Sequence, residues 1–236
     1  MEFVHVIVAV FSLVSVGRSA PVSSCEGLIR PLELPGRDQL LGKWMHIAET
    51  MDMPGAREMT KMFMDTNWLN LTAAEQADTI VNTMNPKMSG RCISMSYNTT
   101  LENNKLVMVN PYRASAVLLS TGCPDCMVVY SNNTIGRNSY SGLQLLSRRP
   151  KVSAAELQEF KKQVECVNLP PPIIHDPEKG FCPDPSVSQE TQVIDTAGNI
   201  NSETLNLLDK MLRSDKGLKK IRDFFSSMSE PKITEN

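Results

Sequence analysis

Histidine is scarce in this sequence. There are three in 236 residues, one of them His5 in the N-terminal apolar run, which leaves little for a histidine-rich metal centre. A basic excess is missing too: 24 Lys and Arg face 26 Asp and Glu for a formal charge of −2, so no positive field exists to hold nucleic acid or an anionic membrane. No Gly-x-Ser-x-Gly elbow, glycine-rich phosphate loop or internal repeat occurs. A membrane-spanning run is also lacking. Residues 3–16 are uncharged and mostly apolar, but a helix needs about 20 such residues to cross a bilayer.

What is present points outward from the cell. The run at residues 3–16, followed by Gly17, Ser19 and Ala20, reads as a secretory signal peptide over residues 1–20, cut after about residue 17–20. The alternative is an uncleaved signal kept as a membrane anchor. Three glycosylation sequons begin at Asn70, Asn98 and Asn132. The six cysteines, Cys25, Cys92, Cys123, Cys126, Cys166 and Cys182, form an even set that reads as three disulfides, with fifteen possible pairings. Cys123-Pro124-Asp125-Cys126 has redox C-x-x-C spacing, but strand-type residues flank it on both sides, so it reads as a local staple on a hairpin.

Between residues 43 and 147, short strand-type runs alternate with Asn, Pro and Gly turn signals. Strands are expected at residues 44–50, 60–70, 79–84, 92–99, 105–109, 115–119, 127–131 and 141–146, with turns at Asn85-Pro86, Asn103-Asn104, Asn110-Pro111 and Asn132-Asn133. Eight strands with hairpin-length links predict an all-β, up-and-down antiparallel barrel. A β-sandwich is the alternative, disfavoured by the single helix that follows. That helix spans residues 153–164, with Ser153 and Glu156 at capping-box spacing and an apolar stripe of Leu157, Phe160 and Val164. Pro170-Pro171-Pro172 ends regular structure, and Ile173-Ile174-His175 suits a short closing strand.

From residue 186 the chain turns polar, giving a domain at residues 21–185 and an extension at 186–236. An amphipathic helix is expected at about residues 203–226, carrying Leu205, Leu208, Met211, Leu212, Leu218, Ile221 and Phe225. It packs on its own domain or offers a face to a protein or lipid partner. Ten of the fourteen methionines lie between Met45 and Met108, which suits a core or a pliable cavity lining.

Gly42-Lys43-Trp44 resembles the first signature of the lipocalins, and Arg148, between the last strand and the helix, resembles the arginine that packs on its tryptophan. Within that family the chain is most similar to the α1-acid glycoprotein (orosomucoid) branch, with the apolipoprotein M branch beside it. The residues carrying this are Cys25-Glu26-Gly27-Leu28-Ile29-Arg30-Pro31, Cys92-Ile93 with Asn98-Thr99-Thr100, Glu156 to Phe160 through Cys166, and Asp176 to Cys182. The resemblance spans residues 22–185. It implies the pairings Cys25–Cys166 and Cys92–Cys182, which leaves Cys123–Cys126. It also implies a secreted, plasma-type carrier of small hydrophobic molecules, steroid-like, basic or xenobiotic, with an acute-phase role and kinship to toxin- and organotin-binding members.

The departures narrow the ligand. Met108 stands where the α1-acid glycoprotein pocket has an arginine, His46 and Leu146 where it has tyrosines, and Gln144 where it has a serine. Met95, Tyr97 and Gly142 fall where apolipoprotein M holds a lipid phosphate with arginines and tryptophan. Without those cations a phosphorylated lipid is a poor ligand, and a neutral or cationic apolar one is expected. The second lipocalin signature is replaced by the Cys123–Cys126 hairpin. The expected lining is His46, Met62, Met64, Met95, Tyr97, Met108, Gln144 and Leu146, with Gly42, Trp44 and Arg148 as structural signature. No cofactor, stable membrane insertion or enzyme activity is expected. A prostaglandin-synthase-like lipocalin needs a reactive thiol in the barrel, and residues 60–70 hold no cysteine.

Overall fold

Backbone N–H and C=O groups must be paired wherever they leave water, and a sheet that closes on itself pairs them without leaving an edge. The computed structural model describes residues 24–185, 192–195 and 202–229; the expected signal peptide lies outside the described residues. Eight antiparallel strands form the ring: β1 (Gly42–Met51), β3 (Trp68–Ala73), β4 (Thr79–Met84), β6 (Arg91–Glu102), β7 (Lys105–Met108), β8 (Arg113–Leu119), β9 (Cys126–Ile135) and β10 (Asn138–Ser147). The ring runs β6-β4-β3-β1-β10-β9-β8-β7, and pairing of β6 with β7 closes it. Two short strands, β2 (Met64–Thr66) and β5 (Lys87–Met88), pair off the ring beside β6.

One expected strand does not form as read. Residues 60–63 belong to helix α2 (Ala56–Phe63), which follows Gly55 at φ 76°, and the chain becomes extended only at β2. Met62-Phe63-Met64 alternates like a strand, but Met59 and Phe63 also stand four apart and form a helical face. Phe63 is buried while Met62 is 43% exposed. Asn132-Asn133 is likewise not a turn. It lies inside β9, and the chain reverses at Gly136, whose φ is 63°.

Helix α3 (Ala154–Cys166) begins as expected. Ser153 Oγ accepts from the Glu156 amide at 3.2 Å, and Glu156 Oε2 accepts from the Ser153 amide at 2.6 Å. Its buried Phe160 and Val164 pack on Ile47, Ala48, Leu143 and Leu145, the outward side of the ring. The disulfides are Cys25–Cys166, which ties the short helix α1 (Cys25–Leu28) to α3, Cys92–Cys182 and Cys123–Cys126. The first two close loops of 141 and 90 residues, each contributing about 5 kcal/mol in the chain-entropy account. Strand β11 (Ile173–Ile174) pairs with β1 at Glu49 and Ala48, where β3 has already diverged.

The extension is built differently from one helix. Strand β12 (Gln192–Asp195) lies parallel to β6 at Ile93–Ser96, and two helices follow, α4 (Ser202–Leu212) and α5 (Asp215–Ser229). The corner between them needs Gly217: a Cβ there would sit 2.2 Å from the Met211 carbonyl oxygen. Ser214 Oγ accepts from the Gly217 amide at 3.1 Å, starting α5.

One end of the ring is sealed. Buried Trp44 donates from Nε1 to the Leu40 carbonyl at 2.7 Å, and the Arg148 guanidinium lies 3.5 Å from its ring centroid. Arg148 also donates to the carbonyls of Lys43 (2.8 Å) and Leu41 (2.7 Å). Gly42, at φ 96°, allows this approach, since a Cβ would stand 3.1 Å from Arg148 Nη1. Arg148→Ala removes the ring contact and the hydrogen bonds to two carbonyls, of which that of Leu41 is partly buried. It is expected to cost about 2–3 kcal/mol in urea unfolding. An unchanged unfolding midpoint would show that the seal holds without it.

Candidate functional site

Side chains alternate across a strand, and directly paired residues point to the same side, so one fixed position assigns the whole ring. Trp44 packs with Leu69, Leu71, Ile80, Leu118 and Leu146 inside the barrel. Following the register from there, Leu69 pairs with Met84, Met84 with Met95, Asn82 with Tyr97, and Leu106 and Met108 with Ala116 and Ala114. Continuing, Ala116 pairs with Ser131, which pairs with Gly142, and Gln144 pairs with Glu49. All of these face inward.

The interior divides into two halves. Near Trp44 it is filled: Leu40, Leu69, Leu71, Ile80, Leu118 and Met127 are all buried there. Toward the other end Met95, Tyr97, Ala114, Ala116, Ser131 and Gln144 are only half-buried although they face inward, so their accessible surface borders a lumen. Ala114, Ala116 and Gly142 help to hollow it, because they project little or nothing into the space. Burial pushes the phenols of Tyr97 and Tyr112 above their ordinary value, so both are neutral at physiological pH.

Of the residues expected to line the cavity, His46, Met95, Tyr97, Met108, Gln144 and Leu146 face inward by register. Leu146 lies in the filled floor with Trp44. Met62 and Met64 are not brought in, because α2 replaces the strand that would have carried them. Met62 faces solvent, and Met64 flanks a cavity of about 280 Å³ outside the ring, with Lys61, Asp65 and Lys179. Asn70, Asn98 and Asn132 point outward; Asn98 and Asn132 are exposed and Asn70 is half-buried. Asp125, beside the Cys123–Cys126 bridge, accepts from Arg149 Nε at 2.6 Å and Nη2 at 2.8 Å, and Arg149 reaches Glu156 at 2.9 Å.

A polar group on the inner wall leaves no mark in the sequence pattern. On a regular strand, residues three apart face opposite ways. A bulge at Ile47 shifts the register between His46 and Ala48 and turns Glu49 to the same side as His46. His175, just past β11, donates its amide to the Ile47 carbonyl at 2.9 Å, and its Nε2 stands 3.2 Å from Glu49 Oε1. Burial lowers the His46 pKa to about 4, partly opposed by the Glu49 charge and reinforced by His175. Burial would raise the Glu49 carboxyl, but His46 and His175 together hold it below its usual value.

The open end is spanned by the extension. Asp209 on α4 accepts from the Tyr140 hydroxyl and, at 2.7 Å, from Asn138 Nδ2. Arg213 donates to Asp209 at 3.2 Å and to the Tyr140 hydroxyl. Across the mouth, Leu212 and Ile221 pack on Phe63 of α2. Gly136 and Gly55 admit α4 closely: Cβ atoms there would lie 2.7 Å from Asn206 Oδ1 and 2.6 Å from the Leu212 carbonyl oxygen. A cavity of about 310 Å³ remains at this rim, bounded by Met51, Met53, Met59, Ile173 and Leu212, with Glu49 at its inner side.

The model of one protein family, described as the ApoM domain, matches residues 18–182. Among solved structures, the chain is similar to the siderocalin Ex-FABP, described as functioning through dual ligand specificities, with a TM-score of 0.55 at 12% identity. That likeness covers 62% of this chain and 99% of the other, and it supports the lipocalin fold. No curated protein matches the sequence.

A His that is neutral and buried in the fold, but free to take a proton when unfolded, makes stability depend on pH. With a folded pKa near 4 against 6.5, the unfolded chain binds more protons between those values. Stability is therefore expected to fall by about 3 kcal/mol as the pH drops from 6.5 to 4 on account of His46. His46→Gln should flatten that part of the urea-midpoint profile; an unchanged slope would remove His46 as its source.

Proposed function

The chain belongs to the ApoM domain family, with a lipocalin barrel, and on that footing we propose that it carries a small hydrophobic molecule in the lumen between the Trp44 floor and the α4–α5 cover. The observation that carries this is the inner wall itself. Across the ring-paired inward positions the side chains are apolar or neutral polar, apart from one carboxylate at Glu49 and the buried imidazole of His46, and there is no Lys or Arg. A phosphorylated lipid buried there would leave its charge unpaired, at a cost of several kcal/mol, whereas a neutral or cationic apolar compound would not. The methionines Met51, Met84, Met95 and Met108 supply polarizable surface that adapts to more than one ligand shape.

The finer reading follows the α1-acid glycoprotein resemblance: a secreted plasma glycoprotein taking up steroid-like, basic or xenobiotic compounds, with an acute-phase or toxin-sequestering role. Three outward-facing sequons and three disulfides support secretion. The family match supports a second reading, an apolipoprotein-M-like lipid carrier. We read the protein as a carrier rather than a prostaglandin-synthase-like enzyme because all six cysteines are held in disulfides, leaving no thiolate to act as nucleophile. A protein or lipid partner for the C-terminal helices remains part of this proposal, although α4 uses Leu212 on the barrel itself.

Displacement of a neutral apolar fluorophore tests the ligand class. Neutral and cationic amphiphiles are expected to compete at least about tenfold better than a phospholipid with an acidic head group. Tyr97→Ala should weaken the fluorophore by about tenfold, roughly 1.4 kcal/mol. The reverse order of competitors would favour the lipid reading. Because α4 and α5 span the mouth, removing residues 202–236 is expected to speed association measured by stopped flow. An unchanged association rate would place the ligand's route elsewhere.

A further inference from the structure

Two imidazoles and one carboxylate meet on the inner side of β1. His46 and Glu49 come from β1 and His175 from the residue after β11, and one donor atom of each lies within 4.8 Å of the others. Both imidazoles are buried, at 3% and 6% exposure, with ring centroids 5.1 Å apart and planes tilted by 53°. They are therefore not stacked, and each presents its Nε2 to the carboxylate. His175 Nε2 is 3.2 Å from Glu49 Oε1, and His46 Nε2 is 3.8 Å from Glu49 Oε2.

We propose that His46, Glu49 and His175 form a binding site for one zinc-class divalent cation, held by two imidazole nitrogens and a carboxylate, with a fourth position left to water or a ligand atom. Two donors each about 2.1 Å from a tetrahedral zinc ion stand about 3.4 Å apart, which falls between the two observed separations. Two nitrogens and one oxygen suit zinc and its first-row neighbours. Magnesium and calcium call for a larger set of oxygens, and copper(I) calls for sulfur.

Two atoms without partners make this more than an ion pair. Among the described residues, His46 Nε2 is buried with no hydrogen-bond partner, and so is Asn67 Oδ1. At 3.8 Å the Glu49 oxygen is too far from Nε2 to accept from it. On the other side of the ring, Asn67 Nδ2 stands 3.3 Å from His46 Nδ1. Turning the Asn67 amide by half a rotation puts Oδ1 there instead, where it accepts from Nδ1–H. The lone pair then lies on Nε2, aimed at the cluster, and Asn67 Oδ1 gains a partner while Nδ2 takes the place Oδ1 held. That is the arrangement by which a neighbouring acceptor fixes the tautomer of a metal-binding histidine. The second group with ligand-like spacing, Cys123, Asp125, Cys126 and Glu156, has no such vacancy: its sulfurs form a disulfide and both carboxylates engage Arg149.

The test is a calorimetric titration of Zn2+ into the untagged mature protein, stripped of metal by chelator and of apolar ligand by extraction, so that it does not depend on the carrier reading. One equivalent per chain is expected. Glu49→Gln and His175→Ala should each weaken binding at least about tenfold while circular dichroism stays unchanged. Glu49→Gln keeps the size of the side chain and serves where an alanine variant does not fold. With Co2+ in place of Zn2+, ligand-field bands should appear in the wild type and be lost in Glu49→Gln. Absence of saturable Zn2+ binding, or wild-type affinity in both variants, would overturn the site.

Discussion

Closure of the ladder governs everything else in this molecule. Once β6 pairs with β7, each ring strand has a neighbour on both sides, and a slip of one residue would turn its inward set into water. The wall is therefore specified as a unit, from Trp44 around to Gln144 and Glu49. The floor follows from the same constraint: a barrel of eight strands is narrow enough for Trp44 and its leucine neighbours to fill one end. Arg148 seals that end from outside, satisfying two carbonyls where the chain enters β1.

Where the ladder is imperfect, chemistry collects. The bulge at Ile47 places two ionisable groups on one side of a strand that would otherwise separate them. The divergence of β3 from β1 beyond the Met45–Trp68 pair leaves the edge of β1 free for β11, which brings His175 to Glu49. Along β6, Ile93–Ser96 is taken by β12, and the mouth is taken by α4 and α5. The chain thus completes with its own C-terminal residues the places that the eight strands leave unpaired.

Much of the frame was legible in the sequence. The Ser153–Glu156 capping box and most of the turn-separated runs state local physical requirements that the structure meets, and Arg148 packs on Trp44 as the family resemblance implied. The cysteine pairing was legible only through family resemblance, since six cysteines alone leave fifteen choices. Other features were hidden for physical reasons. Residues 60–63 fit both a strand and a helix face, and only packing of Phe63 against the distant Leu212 and Ile221 separates the two. A bulge leaves no mark in residue types, so His46 and Glu49 looked unrelated. The seat of the extension depends on Asp209 and Arg213 meeting Tyr140, groups some seventy residues apart that no local pattern links.

A small apolar molecule held in the lumen between Trp44 and α4 should travel with the protein. Native mass spectrometry of the protein purified from the medium of a secreting cell tests it most directly. The expected species is a chain with three disulfides and one bound apolar compound, neutral or cationic, released by mild activation. A phospholipid with an acidic head group would overturn the ligand class; a chain that stays empty when offered neutral and cationic amphiphiles would show that the lumen is not a binding site.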